Sequence, residues 1–335
     1  MSEEIEDTAI ENDSDEGVSR PASLAEFNGQ GAAKENLQAF LDSARQRQRH
    51  LDHTLFFGPP GLGKTTLAQI VAGELGVGFR QVGAPAIEKT SDLVALLGTL
   101  DERDVVFIDE IHRLPMKIEE MLYIAMEDFR MDLIVGEGAE ARALPLPLPK
   151  YTLIGATTNP GKLSKPLRDR FGIQIRLEPY TDEEMEIVLM RAAPQLGLSL
   201  VKGAALEIGK RARGTPRIGL RMLNRIRDFA VTTGGPVVDK EDARSYLKRL
   251  GIDADGLDDT DRRYLTLMRK QYRNRAVGVK TLAAALNESI ENLEESVEPY
   301  LIRKGYIEKT PTGRRLVEET FPGSGNGLKQ GEFLF

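Results

Sequence analysis

The chain contains no cysteine, so neither a disulfide framework nor a thiolate zinc site is open to it. No apolar run approaches the roughly 20 residues needed to span a bilayer. The N-terminus is acidic, where a secretory signal would carry a basic stretch followed by an apolar one. No segment repeats another at a fixed period, which sets repeat architectures aside. These absences leave a cytoplasmic globular protein with no membrane association as the expectation. A length of 335 residues suggests two or three domains.

The net charge of −7 is unevenly placed. Residues 1–20 hold eight acids and one base, and the rest balances 44 acids against 44 bases. The acidity therefore belongs to a short tail, 1–18, of the composition that stays disordered. The stretch Arg262–Arg315 holds twelve Lys/Arg against six Glu. Such a surface can attract nucleic acid although the whole chain is acidic, and it can also be a solvated mixed face.

Strand and helix patterns alternate after the tail. A helix is expected at Ala32–Ala44, then a strand at Thr54–Phe57, a helix at Lys64–Leu75 and a strand at Phe79–Val82. A helix near Ser91–Leu97, a strand at Val105–Ile108, a helix at Met116–Met126 and a strand at Thr152–Ala156 follow. Alternation of this kind predicts a parallel sheet covered by helices, and the wholly apolar runs Val105–Ile108 and Thr152–Ala156 suit strands buried on both faces. From Thr181 helical periodicity takes over, with helices expected at Asp182–Ala193, Lys202–Ala212, Ile218–Thr232 and Asp239–Leu250. An Asp/Gly-rich linker, Gly251–Thr260, leads to helices at Asp261–Tyr272, Val279–Leu286 and Ser289–Lys304 and a hairpin at Tyr306–Leu316. Three helices and a hairpin describe a winged helix. The expected divisions are an α/β nucleotide domain at 19–180, a helical lid at 181–253, a winged-helix head at 254–320 and a flexible tail at 321–335.

Gly58-Pro59-Pro60-Gly61-Leu62-Gly63-Lys64-Thr65 satisfies the phosphate-binding P-loop pattern, with an apolar strand before it and a helix after it. Its glycines let successive backbone N–H groups point at phosphate oxygens, and the helix N-terminus adds favourable partial charge. Gly61, Leu62, Gly63, Lys64, Thr65 and Thr66 are the cradling positions. Lys64 would reach the β- and γ-phosphates of ATP and the Thr65 hydroxyl would hold Mg²⁺. Asp109 and Glu110 end the third apolar strand; Asp109 is placed to hold Mg²⁺ through water, and Glu110 to polarise the attacking water. Two acids after a strand also suit a helix N-terminus. His112, two residues on, reads as a packing or relay residue rather than a ligand.

Further segments carry a resemblance. Arg20–Phe27 with Gly29-Gln30 resembles the adenine-side box of AAA+ ATPases, and Ile154–Thr158 resembles their sensor-1 strand. Leu167-Arg168-Asp169-Arg170-Phe171-Gly172 and Gly214-Thr215-Pro216-Arg217 look like the arginine-finger and sensor-2 segments of the RuvB family within that class. With GPPGLGKTT, FIDEIHRL, AMEDF, GEG, RARGTPR and EPYLIRKGY, the ordered set spans Arg20 to Leu316. The resemblance implies an AAA+ core with a helical lid and a winged-helix head. It also implies a homohexameric ring that uses ATP to drive branch migration of Holliday junctions in recombination and repair. It implies that Thr158 senses the attacking water, that Arg170 enters a neighbouring subunit's ATP site, that Arg217 reports the γ-phosphate to the lid, and that Arg20, Glu127, Asp128, Phe129 and Tyr180 lie near nucleotide. Two positions depart from the family pattern. Asn28 stands where an apolar residue precedes Gly29-Gln30, and Asn159-Pro160-Gly161 follows Thr157-Thr158.

Residues 131–149 read as a hairpin inserted into the nucleotide domain, turning at Gly136-Glu137-Gly138. In the RuvB family such a hairpin docks on RuvA, the junction-binding partner. Period-two spacing puts Leu144, Leu146 and Leu148 on one face, where they either meet a partner or cover the core, while Pro145, Pro147 and Pro149 remove ladder donors. In the winged helix, Glu291, Glu294, Glu295 and Glu298 would repel phosphate in a groove. Lys309, Arg314 and Arg315 lie on the wing, which is expected to make backbone contacts to DNA, with Lys309 and Arg314 as the DNA-binding residues. The ending Gln330–Phe335 loosely resembles sliding-clamp-binding peptides. A clamp-loader subunit and an ATP-switched DNA-binding initiator remain alternative readings; a clamp loader would carry a helical collar in place of a wing.

Overall fold

The computed structural model describes residues 17–135, 142–201, 203–233, 235–273 and 275–317. The acidic tail up to residue 16, the Gly136-Glu137-Gly138 turn and the ending Gln330–Phe335 lie outside the described residues. The chain divides into two compact units, one running to Ser199 and resuming at Gly214–Asn224, the other comprising Leu200–Arg213 and the chain from Arg225.

The first unit opens with α1 (Gly31–Arg47), β1 (Thr54–Phe57), α2 (Lys64–Leu75), β2 (Phe79–Gly83), α3 (Thr90–Leu97), β3 (Val105–Asp109) and α4 (Met116–Asp128). It continues through β4 (Arg130–Val135), β5 (Arg142–Pro147), β6 (Thr152–Thr157), α5 (Lys165–Asp169), β7 (Ile173–Arg176) and α6 (Asp182–Gln195). Five strands form one sheet in the order β2-β3-β6-β1-β7, every pairing parallel. Parallel strands need helical crossovers that cover both faces, so the central strands are apolar throughout. Leu55, Val106, Ile108 and Leu153 face a core shared with Leu93 and Leu97 of α3 and Ile118 and Leu122 of α4. Their neighbours in sequence, Phe56, Val105 and Phe107, are fully buried too, and α2 packs on β3 and β6. Truncating Phe107 to Ala would cost about 3–5 kcal/mol.

Strand β7 was not anticipated. Its burial alternates, Ile173 and Ile175 in and Gln174 and Arg176 out, as suits a short strand on the edge of the sheet. The hairpin β4–β5 pairs antiparallel, with Leu133 opposite Leu144 and Met131 opposite Leu146. Its three leucines differ in burial. Leu148 is buried and Leu146 packs on the core, while Leu144, nearer the tip, is 57% exposed.

The second unit holds β8 (Ser199–Leu200, from its second residue), α7 (Ala204–Arg211), the later part of α8 (Pro216–Thr233), β9 (Val237–Val238) and α9 (Lys240–Arg249). The two-residue pair β8–β9 interrupts a segment expected to be wholly helical. There follow α10 (Asp259–Lys270), α11 (Val279–Leu286), α12 (Ile290–Asn292), α13 (Glu298–Arg303), β10 (Ile307–Thr310) and β11 (Gly313–Leu316). Asp258 caps α10 and Asp261 returns the bond to the Asp258 N–H, the reciprocal box that satisfies orphan donors at a helix start. Both acids also receive Arg213, at 3.0 Å to Asp258 and 2.5 Å to Asp261. The expected helix Ser289–Lys304 is not continuous: residues Leu293–Val297 form a π-turn between α12 and α13. Pro299 lies in the first turn of α13 and has no N–H to return to the preceding turn, which a wider turn accommodates.

No helix among the described residues is long and apolar enough to cross a membrane.

His53 ties strand to helix at the end of the sheet away from the P-loop. Its Nδ1 accepts from the Leu153 N–H at 2.8 Å, so Nε2 carries the proton and donates to the Met126 carbonyl at 3.0 Å. Burial pushes its pKa down to about 4. A base depressed in the folded state contributes stability that is complete above its unfolded value near 6.5 and is lost as pH falls through about 4. Thermal unfolding of the first unit should therefore lose on the order of 3 kcal/mol between pH 7 and 4 through this group. In His53→Gln that part of the slope should vanish; an identical slope in the variant would assign the acid sensitivity elsewhere.

Candidate functional site

Everything in the first unit that can hold a phosphate lies along one edge of the sheet, because parallel strands all end on the same side. The loop after β1 turns through Gly58 and Gly61, both at positive φ (147° and 76°). A Cβ on Gly58 would sit 2.4 Å from the Leu177 carbonyl oxygen, and one on Gly61 2.7 Å from the Thr215 methyl, so only glycine permits the close approach on either side. The loop ends at Gly63, the N-cap of α2, with no side-chain cap, which leaves first-turn N–H groups for an anion.

A pocket over this loop is lined by Gly61, Leu62, Gly63, Lys64, Thr65, Thr66, Asp109 and Glu110, together with Arg20, Tyr180 and Arg217. Lys64 is buried, and its Nζ donates to the carbonyls of Gly58 at 2.9 Å and Pro59 at 3.0 Å. Burial lowers its pKa, against the raising pull of Glu110 and Asp109. Burial likewise raises that of Asp109, whose Oδ1 accepts from the Glu110 N–H at 2.9 Å. With Arg20 and Arg191, Lys64 and Arg217 give the pocket more cationic than acidic side chains, the balance a polyphosphate requires. Thr158, just beyond β6, donates to Glu110 Oε2 from its hydroxyl at 3.1 Å and from its N–H at 3.3 Å. Asn159 is exposed and reaches this cluster only through its backbone, which donates to Thr157 Oγ1 at 3.0 Å.

One part of the pocket lining is apolar although Asn28 is also in it. Val18, Phe27, Val188 and Leu220 supply the wall with Tyr180. Val18 was expected in the disordered tail and instead is buried. Gln30 fixes this part: its side chain donates to the Glu178 carbonyl at 2.6 Å and accepts from the Glu178 N–H at 3.0 Å. Val188, Arg191 and Leu220 were not anticipated. Leu220 lies three residues after Arg217 and Arg191 three after Val188, so helical spacing could have found each pair once one member was placed.

Five residues expected at the nucleotide site lie outside this pocket: Thr158, which meets it through Glu110, and Arg170, Glu127, Asp128 and Phe129. Arg170, at the end of α5, pairs with Glu127 of the same chain at 2.5 Å. Asp128 pairs with Arg130 at 3.5 Å. Phe129 packs edge-on against Tyr151, ring centres 5.8 Å apart.

In the winged helix the expected DNA contacts part company. Lys309 is 50% exposed and lies 3.3 Å from Glu298. Arg314 is only 12% exposed: its Nε donates to Glu298 at 2.7 Å and its Nη2 to Glu294 at 2.5 Å. Glu298 is fully buried and also accepts from the Tyr264 hydroxyl at 3.1 Å. Arg314 thus has a structural task in the wing: a buried carboxylate must be paired, and Arg314 pairs it. The same network turns Glu298 inward and ties the exposed Glu294 to the wing, both having been expected to repel a groove. Arg315, on the other face of β11, pairs with Glu308 at 2.7 Å.

Models of the RuvB family match almost all of the described chain. The model described as the Holliday junction DNA helicase RuvB P-loop domain matches residues 19–177, the RuvB AAA lid domain 180–253 and the RuvB C-terminal winged helix domain 254–322. The Thermotoga maritima RuvB Holliday junction branch migration motor is 41% identical, with a TM-score of 0.81, 90% of this chain and 96% of that one being covered. A proline-to-glycine mutant of the same Thermotoga protein matches at 41% identity and a TM-score of 0.83, over 90% and 97%. The FIGL-1 AAA domain in complex with ADP shares the fold at 18% identity and a TM-score of 0.54, over 76% of this chain and 92% of that one.

Removing Arg314 leaves buried Glu298 with the Tyr264 hydroxyl and the half-exposed Lys309 as partners, a loss of about 3 kcal/mol. Arg314→Ala should therefore speed hydrogen exchange at the Ile307–Leu316 amides by on the order of 100-fold in the absence of DNA. Unchanged protection would mean that the pair carries no weight and that the guanidinium is available to phosphate after all.

Proposed function

The chain belongs to the RuvB family, and from that premise we propose that it is the ATP-driven motor of Holliday-junction branch migration, acting in the cytoplasm as a homohexameric ring beside RuvA. The observation that supports this best is an incomplete site. One pocket of the first unit gathers the P-loop, Asp109, Glu110 and Arg217, whereas Arg170 stands outside it, paired with Glu127. A cationic side chain that stands outside its own pocket suits a phosphate on another copy of the chain.

ATP would enter with its base against Val18, Tyr180, Val188 and Leu220 and its phosphates over the P-loop. Lys64 would exchange the Gly58 and Pro59 carbonyls for β- and γ-phosphate oxygens. Glu110 would polarise the attacking water, Thr158 would set the orientation of that carboxylate, and Arg217 would contact the γ-phosphate from the start of α8. Mg²⁺ fits this donor set. Thr65 brings a hydroxyl and Asp109 a carboxylate to the pocket, and among the described residues no group of three or more His, Cys, Asp or Glu could cage a metal alone. A small hard cation that keeps its waters and completes its shell with phosphate oxygens needs no more. It would neutralise charge on the transferred phosphoryl group.

Arg170 of a neighbouring subunit would complete the site, with Glu127, Asp128 and Phe129 on the same side of the interface. DNA would meet the wing through Lys309, by phosphate rather than base contacts, as suits a motor that must move any sequence. Leu144 near the tip of the β4–β5 hairpin would seat on RuvA, since an exposed leucine on an outlying hairpin has no partner in its own core. The ending Gln330–Phe335 would be the place for a sliding clamp to bind. The β10–β11 wing, where a clamp loader would have a helical collar, favours the motor over that alternative.

A finger stabilises charge in the transition state and is worth on the order of 10³–10⁵ in turnover. Arg170→Ala should bind ATP and hydrolyse it more slowly by that order, and mixing it with Lys64→Ala should restore part of the activity. Background ATPase in rings verified as mixed would place Arg170 outside the neighbour's site. The motor itself is tested by ATP-dependent dissociation of a synthetic four-way junction with and without RuvA; no dissociation in either case sinks it.

A further inference from the structure

His112 is unexplained by the site as described. It lies on the short 3₁₀ turn Ile111–Arg113 that follows Glu110, its side chain only 5% exposed. Turning back over the preceding residue, its Nδ1 comes within 3.1 Å of Glu110 Oε2 and 2.9 Å of Thr157 Oγ1. A carboxylate oxygen at that distance from an imidazole nitrogen is favourable only when the nitrogen carries the proton, so Nδ1–H is the donor. Glu110 itself is held at φ 49°, a backbone conformation that a non-glycine residue keeps only when its surroundings fix it.

Three groups therefore converge on one oxygen of the Glu110 carboxylate: the Thr158 N–H and hydroxyl donate to Oε2, and His112 Nδ1 pairs with it at 3.1 Å. We infer that His112 is a positioning residue for ATP hydrolysis, holding the Glu110 carboxylate so that Oε1 faces the attacking water. The inference rests on the proposal that Glu110 polarises that water. A carboxylate with one oxygen anchored keeps its other lone pairs aimed, whereas one anchored only by Thr158 can rotate about its last bond and present either oxygen at a varying angle. Thr158 comes from the end of β6 and His112 from the turn after β3, so the two anchors grip the carboxylate from different strands. His112 also reaches Thr157 at the end of β6, which ties the two strand ends to each other as well as to the acid.

The test uses the full-length chain and a steady-state ATPase assay. The Asn side-chain nitrogen overlays the imidazole Nδ1, while that of Gln, one bond longer, overlays Nε2. His112→Leu fills the space but removes the donor. It should lower kcat by about 10- to 100-fold, part of what a general base contributes, with KM for ATP and binding of a fluorescent ADP analogue within about twofold of wild type. His112→Asn should recover most of kcat and His112→Gln should not. Glu110→Gln, expected to bind ATP without hydrolysing it, is the control for the underlying reading. The double variant Glu110→Gln/His112→Leu should be no slower than Glu110→Gln alone, because a residue acting only through Glu110 adds nothing once that carboxylate is gone. Wild-type kcat in His112→Leu, equal loss in the Leu, Asn and Gln variants, or a further loss in the double variant would each overturn the role of His112. Full hydrolysis by Glu110→Gln would instead overturn the assignment of Glu110, and the inference with it.

Discussion

The parallel sheet is the constraint from which the rest follows. Strands that run the same way finish on the same edge, so the loops after β1, β3 and β6 meet there without any special arrangement. The P-loop follows β1, Asp109 and Glu110 close β3, and Thr158 follows β6, with β6 lying between β3 and β1. That order brings a phosphate cradle, a pair of acids and a hydroxyl side by side. The apolar strands matter for the same reason. With Val105–Ile108 and Leu153–Ile154 fully buried, a one-residue slip would turn the acids of β3 into the core, at a cost far above the stability of a domain.

Polar groups do comparable organising in the second unit. Arg213 lies 4.8 Å over the ring of Tyr300 while its guanidinium holds Asp258 and Asp261; Arg211 donates to the Asp253 carbonyl at 2.9 Å. These bonds run from the end of α7 to the segment that opens the winged helix, so the short stretch after the lid helix is fixed rather than trailing. Within the winged helix, Glu298 gathers Tyr264, Arg314 and Lys309 from three elements. A buried acid of this kind adds little net stability but penalises every arrangement in which its partners are misplaced.

Much of this was legible in the sequence, and the parts that were not share a cause. Local periodicity and spacing were enough for the alternating core, the P-loop, the acids after β3 and the winged helix, because each is written within about ten neighbouring residues. Strand β7 escaped because four residues with two outward polar ones look like a loop until a neighbour is known to lie on one side. The π-turn escaped because helical periodicity continues through it and only the chain's response to Pro299 differs. The structural task of Arg314 escaped because its partners lie 16 and 20 residues earlier and no short pattern encodes that meeting. The apolar part of the pocket escaped for the same reason, being drawn from separate segments, and Asn28 alone was a poor guide to it.

The two bonds from Lys64 to the Gly58 and Pro59 carbonyls make ligand entry a substitution rather than an addition. A buried ammonium with no acceptor would be intolerable, so the empty loop supplies its own, and any incoming anion must outbid two neutral carbonyl oxygens. A singly charged ion offers one contact in return for two. A chain of phosphates offers several, each charged, and charge-assisted bonds are about twice as strong as neutral ones. At this loop a ligand that brings several charged oxygens is therefore favoured over a single small anion.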